Sequence, residues 1–194
     1  MHNIGLRDRK RRETHARIQQ AAIRLFLTHG FEAVTLDQIA AAAGVSRRSL
    51  FHYFSSKEEM VLAAKVEIGP RLAEAVARRP ADEPTLDMAE AALTDMAQHF
   101  QGAEARALAR LIAGTPALQA GDHAKYAELE QTLARALARR RGVPEDDLEI
   151  VAVAAAAISL MRHASAAWLA ADDSRGPEVF GQVLFTALRK AARA

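Results

Sequence analysis

The sequence predicts an all-α protein of about nine helices, in which a three-helix helix-turn-helix domain precedes a larger helical domain. Three observations support this fold class. Apolar residues recur at helical spacing along most of the chain, no stretch alternates apolar with polar residues, and capping residues with Gly or Pro stops separate the apolar stretches. Half of the 194 residues are apolar, which is enough to bury a core.

Composition restricts the chemistry that the chain can perform. It contains no cysteine, which removes disulfides, thiolate nucleophiles and cysteine-based metal sites, and which fits a reducing cytoplasm. The net charge is +2, but residues 1–60 hold ten Lys and Arg against six Asp and Glu, whereas the remainder holds sixteen against eighteen. The N-terminal third is therefore predicted to contact a polyanion.

We expect neither a membrane span nor a signal peptide. The longest apolar run, residues 150–158, is much shorter than the ~18 residues that cross a bilayer. The basic N-terminus is not followed by an apolar stretch, as it would be in a signal peptide. A cytoplasmic protein is therefore expected.

Residues 1–12 are predicted to form a mobile basic arm that carries Arg9, Arg11 and Arg12. Such an arm can lie along phosphates or enter a minor groove, and the alternative is a solvated tail without a specific role. The first helix follows and ends near His29, because Gly30 stops it. Its apolar stripe consists of Ile18, Ala22, Leu25 and Phe26.

Two short helices joined by a tight turn are predicted within residues 35–57. Thr35 caps the first helix together with Gln38, and Gly44 supplies the left-handed conformation that ends it. Ser46 caps the second helix, so that about three residues separate the two. Such a short link requires the helices to cross steeply.

The second helix is predicted to present a polar face to solvent. Leu50 and Phe54 are four residues apart and point into the core. The other side chains are free to meet a DNA groove, and they are Arg47, Arg48, Ser49, Phe51, His52 and Tyr53. A third helix begins at Lys57, where Ser56 and Glu59 form a second capping box.

The stretch AAAAGVSRRSLFHYFSSKEEM resembles the helix-turn-helix of the TetR family of bacterial transcriptional regulators, and the resemblance extends over residues 14–65. The alternative is a structural helical hairpin, because any hairpin with Gly in its turn imitates the pattern. The Arg-Arg pair, the His-Tyr pair and the lysine of the next helix favour DNA binding. The resemblance implies a dimer that recognises a palindromic operator on double-stranded DNA.

Two kinds of DNA contact are expected from this motif. Arg47 and Arg48 can pair bidentately with guanine and would read the sequence. The expected phosphate contacts, which position the protein without reading bases, are Thr35, Ser46, Tyr53 and Lys57.

The connection to the second domain is predicted to contain an interruption. Gly69 and Pro70 would kink or break the helix that begins at Lys57, and an ordinary loop between helices is the alternative. Residues 80–84 form a linker, after which Thr85 caps the next helix. The Arg139–Arg141 cluster is attributed to the negative end of a helix dipole rather than to a second nucleic-acid surface.

The last two helices are predicted to form a dimer interface. Pro144 begins an alanine-rich apolar helix, and a final amphipathic helix follows the turn at residues 172–177. Two such helices from each chain would form a four-helix bundle, and the resemblance implies the same dimer. The expected interface residues are Ala155, Ile158, Ser159, Arg162, Phe180, Leu184 and Leu188.

An effector cavity is expected among the C-terminal helices, and the resemblance implies that a small molecule bound there moves the two reading heads apart. Candidate lining residues combine apolar bulk with a few polar groups. They are Met96, His99, Phe100, Arg110, Tyr126, Met161, His163 and Trp168. Plain core packing is the alternative, and for Arg162 and His163 the dimer interface is another.

No catalytic motif is found. The chain lacks a P-loop, a dinucleotide-binding glycine motif and a nucleophile elbow, and no two of its seven histidines are three to five residues apart. We therefore expect no enzyme activity, no metal and no cofactor.

The predicted domains are the arm at 1–12, the DNA-binding domain at 13–57 and the effector-binding and dimerisation domain at 58–194. The alternative function is non-sequence-specific DNA binding or binding of a protein partner.

Overall fold

The computed structural model describes residues 5–65, 67–98, 102–171 and 174–192. Within these ranges the chain is all-α, as predicted, with ten α-helices, a short 3-10 turn at Ala63–Lys65 and no strand. The helices are α1 Leu6–His29, α2 Leu36–Ala42, α3 Arg47–Leu50, α4 Lys57–Leu62, α5 Ile68–Ala77, α6 Thr85–Ala97, α7 Ala103–Gly114, α8 Pro116–Arg141, α9 Leu148–Ala170 and α10 Pro177–Ala191.

The chain forms two compact units, and the first is larger than the predicted DNA-binding domain. It comprises Met1–Val66 and Ala107–Asp122. The addition follows from packing, because Ile112 on α7 and Leu118 on α8 are buried in the same cluster as the apolar side chains of α1 to α4. The sequence-based boundary at residue 57 therefore differs from the division that packing produces.

The basic residues near the N-terminus lie on a helix rather than on a mobile arm, which corrects the prediction. α1 already begins at Leu6, and residues 1–4 lie outside the described residues. Arg and Lys are good helix formers, and the negative charge of Asp8 in the first turn favours the start of a helix. In addition, Arg9 Nε lies 3.7 Å from Glu13 Oε1 one turn later. The helix ends at His29 before Gly30, as predicted.

The interruption after α4 occurs before Gly69–Pro70. α4 ends at Leu62, the 3-10 turn follows, and α5 begins at Ile68. Pro70 is the third residue of α5, a position where its missing N–H has no intrahelical acceptor to lose. The proline therefore lies in the first turn of a new helix instead of breaking an existing one.

The second unit comprises Glu67–Arg106 and His123–Ala194, and α5, α6, α8, α9 and α10 enclose its apolar core. Polar contacts also join these helices. Arg189 of α10 binds the carboxylates of Asp87 and Glu90 on α6. Thr85, predicted to be a cap, is instead the buried first residue of α6, and its hydroxyl donates to Glu149 Oε1 of α9 at 2.7 Å. Pro84 occupies the N-cap position in its place.

Among the described residues, α9 is the one helix whose length and apolar composition would allow it to cross a membrane. Only 28% of its most apolar 18-residue stretch is buried within the chain. A helix that packs inside a protein or against a second subunit passes the same test, so this feature alone is weak evidence for a membrane.

Candidate nucleic-acid interface

Two side-chain caps fix the start of α2 and α3. The Thr35 hydroxyl accepts a hydrogen bond from the Gln38 amide at 3.3 Å, and Gln38 Oε1 accepts one from the Thr35 amide at 2.8 Å. Ser46 Oγ accepts a hydrogen bond from the Ser49 amide at 3.0 Å. Both caps agree with the sequence prediction, and Gly44 has the expected positive φ of 63° between the helices. The turn geometry is therefore encoded locally.

Buried side chains hold α3 to the rest of the unit. Leu50 and Phe54 are fully buried, and the His15 ring of α1 lies against Phe54 with its centroid 4.3 Å away. The opposite side of this segment is exposed, and Phe51 retains 49% of its accessible surface. An exposed face on a firmly anchored helix is the arrangement that a DNA groove requires.

The recognition segment is less helical than predicted. The α-helix ends at Leu50, and residues 51–53 form a turn that closes with the Phe54 amide donating to the Leu50 carbonyl at 3.1 Å. His52 is exposed on this turn, while Tyr53 packs partly against the apolar cluster. These two side chains therefore lie at the C-terminal end of the segment, beyond the regular helix.

The two adjacent arginines of α3 differ in their surroundings. Arg47 Nη1 lies 2.9 Å from Asp37 Oδ2 of α2, and both side chains are largely exposed. Arg48 is exposed as well, and within the described part of the chain it forms no ion pair. Of these two arginines, Arg48 is therefore the one whose guanidinium keeps its full set of donors for an external acceptor.

Lys57, predicted to bind a phosphate, is bound within its own unit in this structure. Its ammonium donates to the carbonyl oxygens of Phe31 at 3.0 Å and Val34 at 3.1 Å. It also lies 4.6 Å from the centroid of the Phe31 ring. Sequence reasoning missed these partners, since they lie in the loop between α1 and α2, far from Lys57 along the chain.

The second predicted capping box is formed only in part. Ser56 Oγ accepts a hydrogen bond from the Glu59 amide at 3.2 Å. The Glu59 carboxylate, however, accepts hydrogen bonds from the amide and the hydroxyl of Ser55, both at 2.6 Å. These two bonds lower the pKa of Glu59 below its ordinary value of 4.5, and the bond from the hydroxyl has the larger effect. Burial of Glu59 raises the pKa, and the charge interaction with His15 lowers it.

The basic residues of the first turns of α1 are exposed. Arg9, Arg11 and Arg12 are all accessible, and their nearest buried neighbour along α1 is Ile18. The charge is therefore carried by a part of the helix that does not contribute to the core. It is available to an anionic partner such as the DNA backbone.

The face of α9 that carries Ala155, Ser159 and Arg162 is incompletely covered by its own chain, with Ala155 and Ser159 half-buried and Arg162 exposed. Ile158, also predicted at the dimer interface, is 3% exposed and belongs to the chain's own core, so this assignment is corrected.

On α10, the predicted residues Phe180, Leu184 and Leu188 are half-buried. Three further apolar side chains of α9 and α10 are exposed, Leu148, Val151 and Val183, of which Leu148 is 84% and Val183 63% exposed.

The predicted effector residues do not form one group. Met96, Tyr126 and Met161 belong to or pack against the core of the second unit. Arg110 is an exposed residue of the first unit, and His163 is exposed on α9. Trp168 is buried, with the Arg106 guanidinium 4.9 Å from its ring centroid. His99 and Phe100 lie outside the described residues.

A surface cavity of about 100 Å³ lies beside Met96. Part of its polar lining is ion-paired, because Arg78 Nη1 lies 3.0 Å from Glu74 Oε1 and Arg78 Nη2 lies 3.9 Å from Asp95 Oδ2. This volume is well below the roughly 300 to 1,000 Å³ of typical ligand pockets. The described residues also contain no group of three or more His, Asp or Glu that could hold a metal ion.

A capped helix-turn-helix with an exposed, arginine-bearing second helix defines a DNA-binding protein. Comparison with known proteins identifies the family to which it belongs. Residues 18–64 match the model of the bacterial regulatory proteins of the tetR family, and residues 83–192 match the model of the MftR C-terminal domain. The chain belongs to the TetR family of bacterial regulatory proteins and is a DNA-binding transcriptional regulator.

Two relatives cover most of the chain. The HTH-type transcriptional regulator TcmR of Streptomyces glaucescens is 36% identical over an alignment 151 residues long, which covers 74% of this chain and 67% of TcmR. The putative mycofactocin biosynthesis transcriptional regulator MftR of Mycobacterium tuberculosis is 31% identical over an alignment 166 residues long, which covers 83% of this chain and 82% of MftR. Both relatives are named as regulators, which is a non-enzymatic role.

The fold is also shared with solved structures. Thermus thermophilus FadR, a TetR-family transcriptional repressor in complex with lauroyl-CoA, superimposes with a TM-score of 0.61 at 23% identity. The match covers 90% of this chain and 92% of FadR. At this level of identity the likeness establishes the fold alone.

Proposed function

We propose that the chain is a homodimeric transcriptional repressor of the bacterial cytoplasm. Two copies bind a palindromic operator through α2 and α3, and a small-molecule effector in the C-terminal helices releases them from DNA. FadR supports this proposal by analogy, because that protein is described as a repressor and as a complex with lauroyl-CoA.

The observation that carries the proposal is a recognition segment that is anchored on one side and exposed on the other. Leu50 and Phe54 hold the segment in the core, while Arg47 and Arg48 stand at the surface. Arginine pairs bidentately with guanine, so these two residues are the proposed readers of the operator. The remaining proposed base-edge or groove contacts are Ser49, Phe51 and His52.

Phosphate contacts position this segment on the duplex. The proposed contacts are the capping residues Thr35 and Ser46, which are exposed at the helix starts, together with Tyr53 and the basic first turns of α1. Because phosphates are the same in every sequence, these contacts contribute affinity without preference.

The proposed dimer forms through α9 and α10. Leu148, Val151 and Val183 are apolar side chains left in solvent by their own chain, and a second copy would cover them. Ala155 and Ser159 lie on one half-buried face of α9 and are small enough to let a partner helix approach closely. A symmetric pair of chains matches the symmetry of a palindromic operator.

The proposed effector site lies in the second unit near Met96, Tyr126, Met161 and Trp168. These side chains offer apolar and aromatic contact area to a ligand with a hydrophobic body. The cavity beside Met96 holds about 100 Å³, so a drug-sized ligand in it would require the surrounding helices to separate. Such a requirement couples the ligand to the conformation of the protein.

Selection of bound duplexes from a random DNA pool tests the proposal. The enriched sequence should be palindromic, and the purified protein should bind it about a thousandfold more tightly than a shuffled duplex of equal composition at the same salt concentration. Binding without enrichment, with equal affinity for both duplexes, would instead identify the non-sequence-specific alternative.

A further inference from the structure

The Lys57 ammonium joins the start of α4 to the loop between α1 and α2. It donates to the carbonyl oxygens of Phe31 and Val34 at 3.0 and 3.1 Å, and the Phe31 ring lies 4.6 Å away. Phe31 and Val34 are both buried, and Phe31 also packs against Phe26 of α1 with ring centroids 5.0 Å apart. Lys57 therefore contacts two residues that are fixed in the core of the unit.

A lysine at this position needs such partners. Lys57 is the first residue of α4, where the helix dipole is positive and disfavours a cation. Two carbonyl oxygens and an aromatic face supply the negative charge density that offsets this effect. The carbonyls benefit as well, because a buried carbonyl without a donor is costly.

The same contact bears on the DNA-reading segment. Val34 immediately precedes Thr35, which is the N-cap of α2 and bonds to Gln38. α2 in turn carries Asp37, the ion-pair partner of Arg47. The Val34 carbonyl therefore lies one residue before the N-cap of α2, the helix that carries the ion-pair partner of Arg47.

We propose that Lys57 is a positioning residue of the DNA-reading segment, which it serves by holding the loop of residues 31–34 rather than by binding a phosphate. This proposal rests on the proposed function, because it concerns how the operator-reading surface is held. With two of its three N–H donors on loop carbonyls, the ammonium organises the unit before DNA arrives. The phosphates are left to other side chains.

The two roles of Lys57 predict different effects of its removal. Removal of a phosphate contact weakens binding to every sequence alike and flattens the slope of log affinity against log salt by about 0.9 per contact. Removal of a positioning residue leaves that slope unchanged and lowers the preference for the operator. It also loosens the loop in the protein without DNA.

The decisive variants are Lys57→Gln and Phe31→Leu in the full chain. Phe31→Leu removes the ring beside the ammonium without changing any charge, and Phe31 is too buried to touch DNA. Lys57→Arg, which retains the charge and N–H donors, serves as the conservative rescue. Circular dichroism and thermal melting identify variants that remain folded.

Amide hydrogen exchange on the DNA-free protein gives the first readout. In Lys57→Gln, peptides that cover residues 31–39 should exchange about tenfold faster than in the parent, while Lys57→Arg should restore much of the protection. Unchanged exchange in Lys57→Gln would overturn the proposal, since a phosphate ligand has no effect before DNA is added.

Titration of the selected operator and its shuffled control against salt gives the second readout. For Lys57→Gln and Phe31→Leu we expect an operator preference reduced about tenfold and an unchanged salt slope. A flatter slope with the preference intact would overturn the proposal and return Lys57 to the phosphate contacts. If the parent itself shows no preference, the proposed function fails, whereas the exchange experiment still decides whether Lys57 holds the loop.

Discussion

Arg47 Nη1 of α3 lies 2.9 Å from Asp37 Oδ2 of α2, whereas the neighbouring Arg48 has no ion-pair partner among the described residues. Two arginines that look equivalent in the sequence therefore differ in the donors that they offer. An exposed ion pair contributes little to stability, but it fixes the direction of one guanidinium and occupies part of its fork. Arg48 is therefore the arginine of this pair with more unbound N–H donors.

The first prediction follows from this difference. Arg48→Ala should lower the preference for operator over shuffled DNA by roughly 1 to 3 kcal/mol, because it removes the proposed bidentate contact with a base. Arg47→Ala should lower the operator preference less, since the Nη1 group of Arg47 is already bound to Asp37. Fluorescence anisotropy with both duplexes at one salt concentration measures the two effects. Equal losses of affinity for operator and shuffled DNA would show that neither arginine reads bases.

The second prediction concerns the basic first turns of α1. Replacing Arg9, Arg11 and Arg12 by Gln should weaken binding to all duplexes and flatten the salt slope by up to about 0.9 for each phosphate that is no longer neutralised. The fold should survive, because the first buried residue of α1 is Ile18. Arg139→Gln, at an exposed arginine of α8, is the control and should leave the slope unchanged. Identical slopes for the triple variant and the parent would show that these residues contact no phosphate and form a solvated end of α1.

The third prediction is a pH dependence of stability at Glu59. Hydrogen bonds from Ser55 lower the pKa of Glu59 below its ordinary value of 4.5 in the folded state. A lowered carboxylate pKa stabilises the folded state above the unfolded-state pKa, and this contribution disappears as the pH falls through the folded-state pKa. Glu59→Gln should therefore destabilise the protein near neutral pH, and its difference from the parent should shrink below about pH 4.5.

Urea unfolding of both proteins across this pH range provides the measurement. Ser55→Ala removes the hydroxyl donor and keeps the backbone donor, so it should reproduce part of the effect. A difference between the parent and Glu59→Gln that stays constant from neutral to acidic pH would contradict this account of the hydrogen bonds.

Local features of the fold could be predicted from the sequence, because their partners lie within one helical turn. Thr35 and Ser46 each accept a hydrogen bond from an amide three residues ahead, so the residue types alone indicate both caps. Gly44 with its positive φ is equally local. The same holds for Leu50 and Phe54, whose spacing of four places them on one buried face.

Features that depend on distant partners could not be predicted in this way. The acceptors of Lys57 lie 26 and 23 residues away, and nothing in the sequence around Lys57 indicates them. Ile112 and Leu118 are apolar residues of α7 and α8, but the sequence does not tell which core they join. Ile158 has the same apolar character as the exposed Val151 of α9, and only packing distinguishes the two positions.

The incompletely covered face of α9 gives the last prediction. Ala155 lies half-buried on this face with Ser159, and the exposed Leu148 and Val151 continue its apolar surface towards the start of the helix. If a second copy covers this face, Ala155→Glu places a bulky charge in a dry interface, which typically costs several kcal/mol. The chain's own core should be unaffected, since Ala155 is not part of it.

Without the dimer, operator binding should fail as well. A single chain covers one half-site, and a palindromic operator requires two reading segments held roughly 34 Å apart or a multiple of that distance. Ala155→Glu should therefore sediment as a folded monomer and bind the operator weakly at concentrations that saturate the parent. Ala124→Glu, at an exposed alanine of α8, is the matched control and should remain dimeric. A variant at Ala155 that stays dimeric and binds tightly would show that the subunits meet through another surface, because a glutamate cannot be buried there without a measurable effect on association.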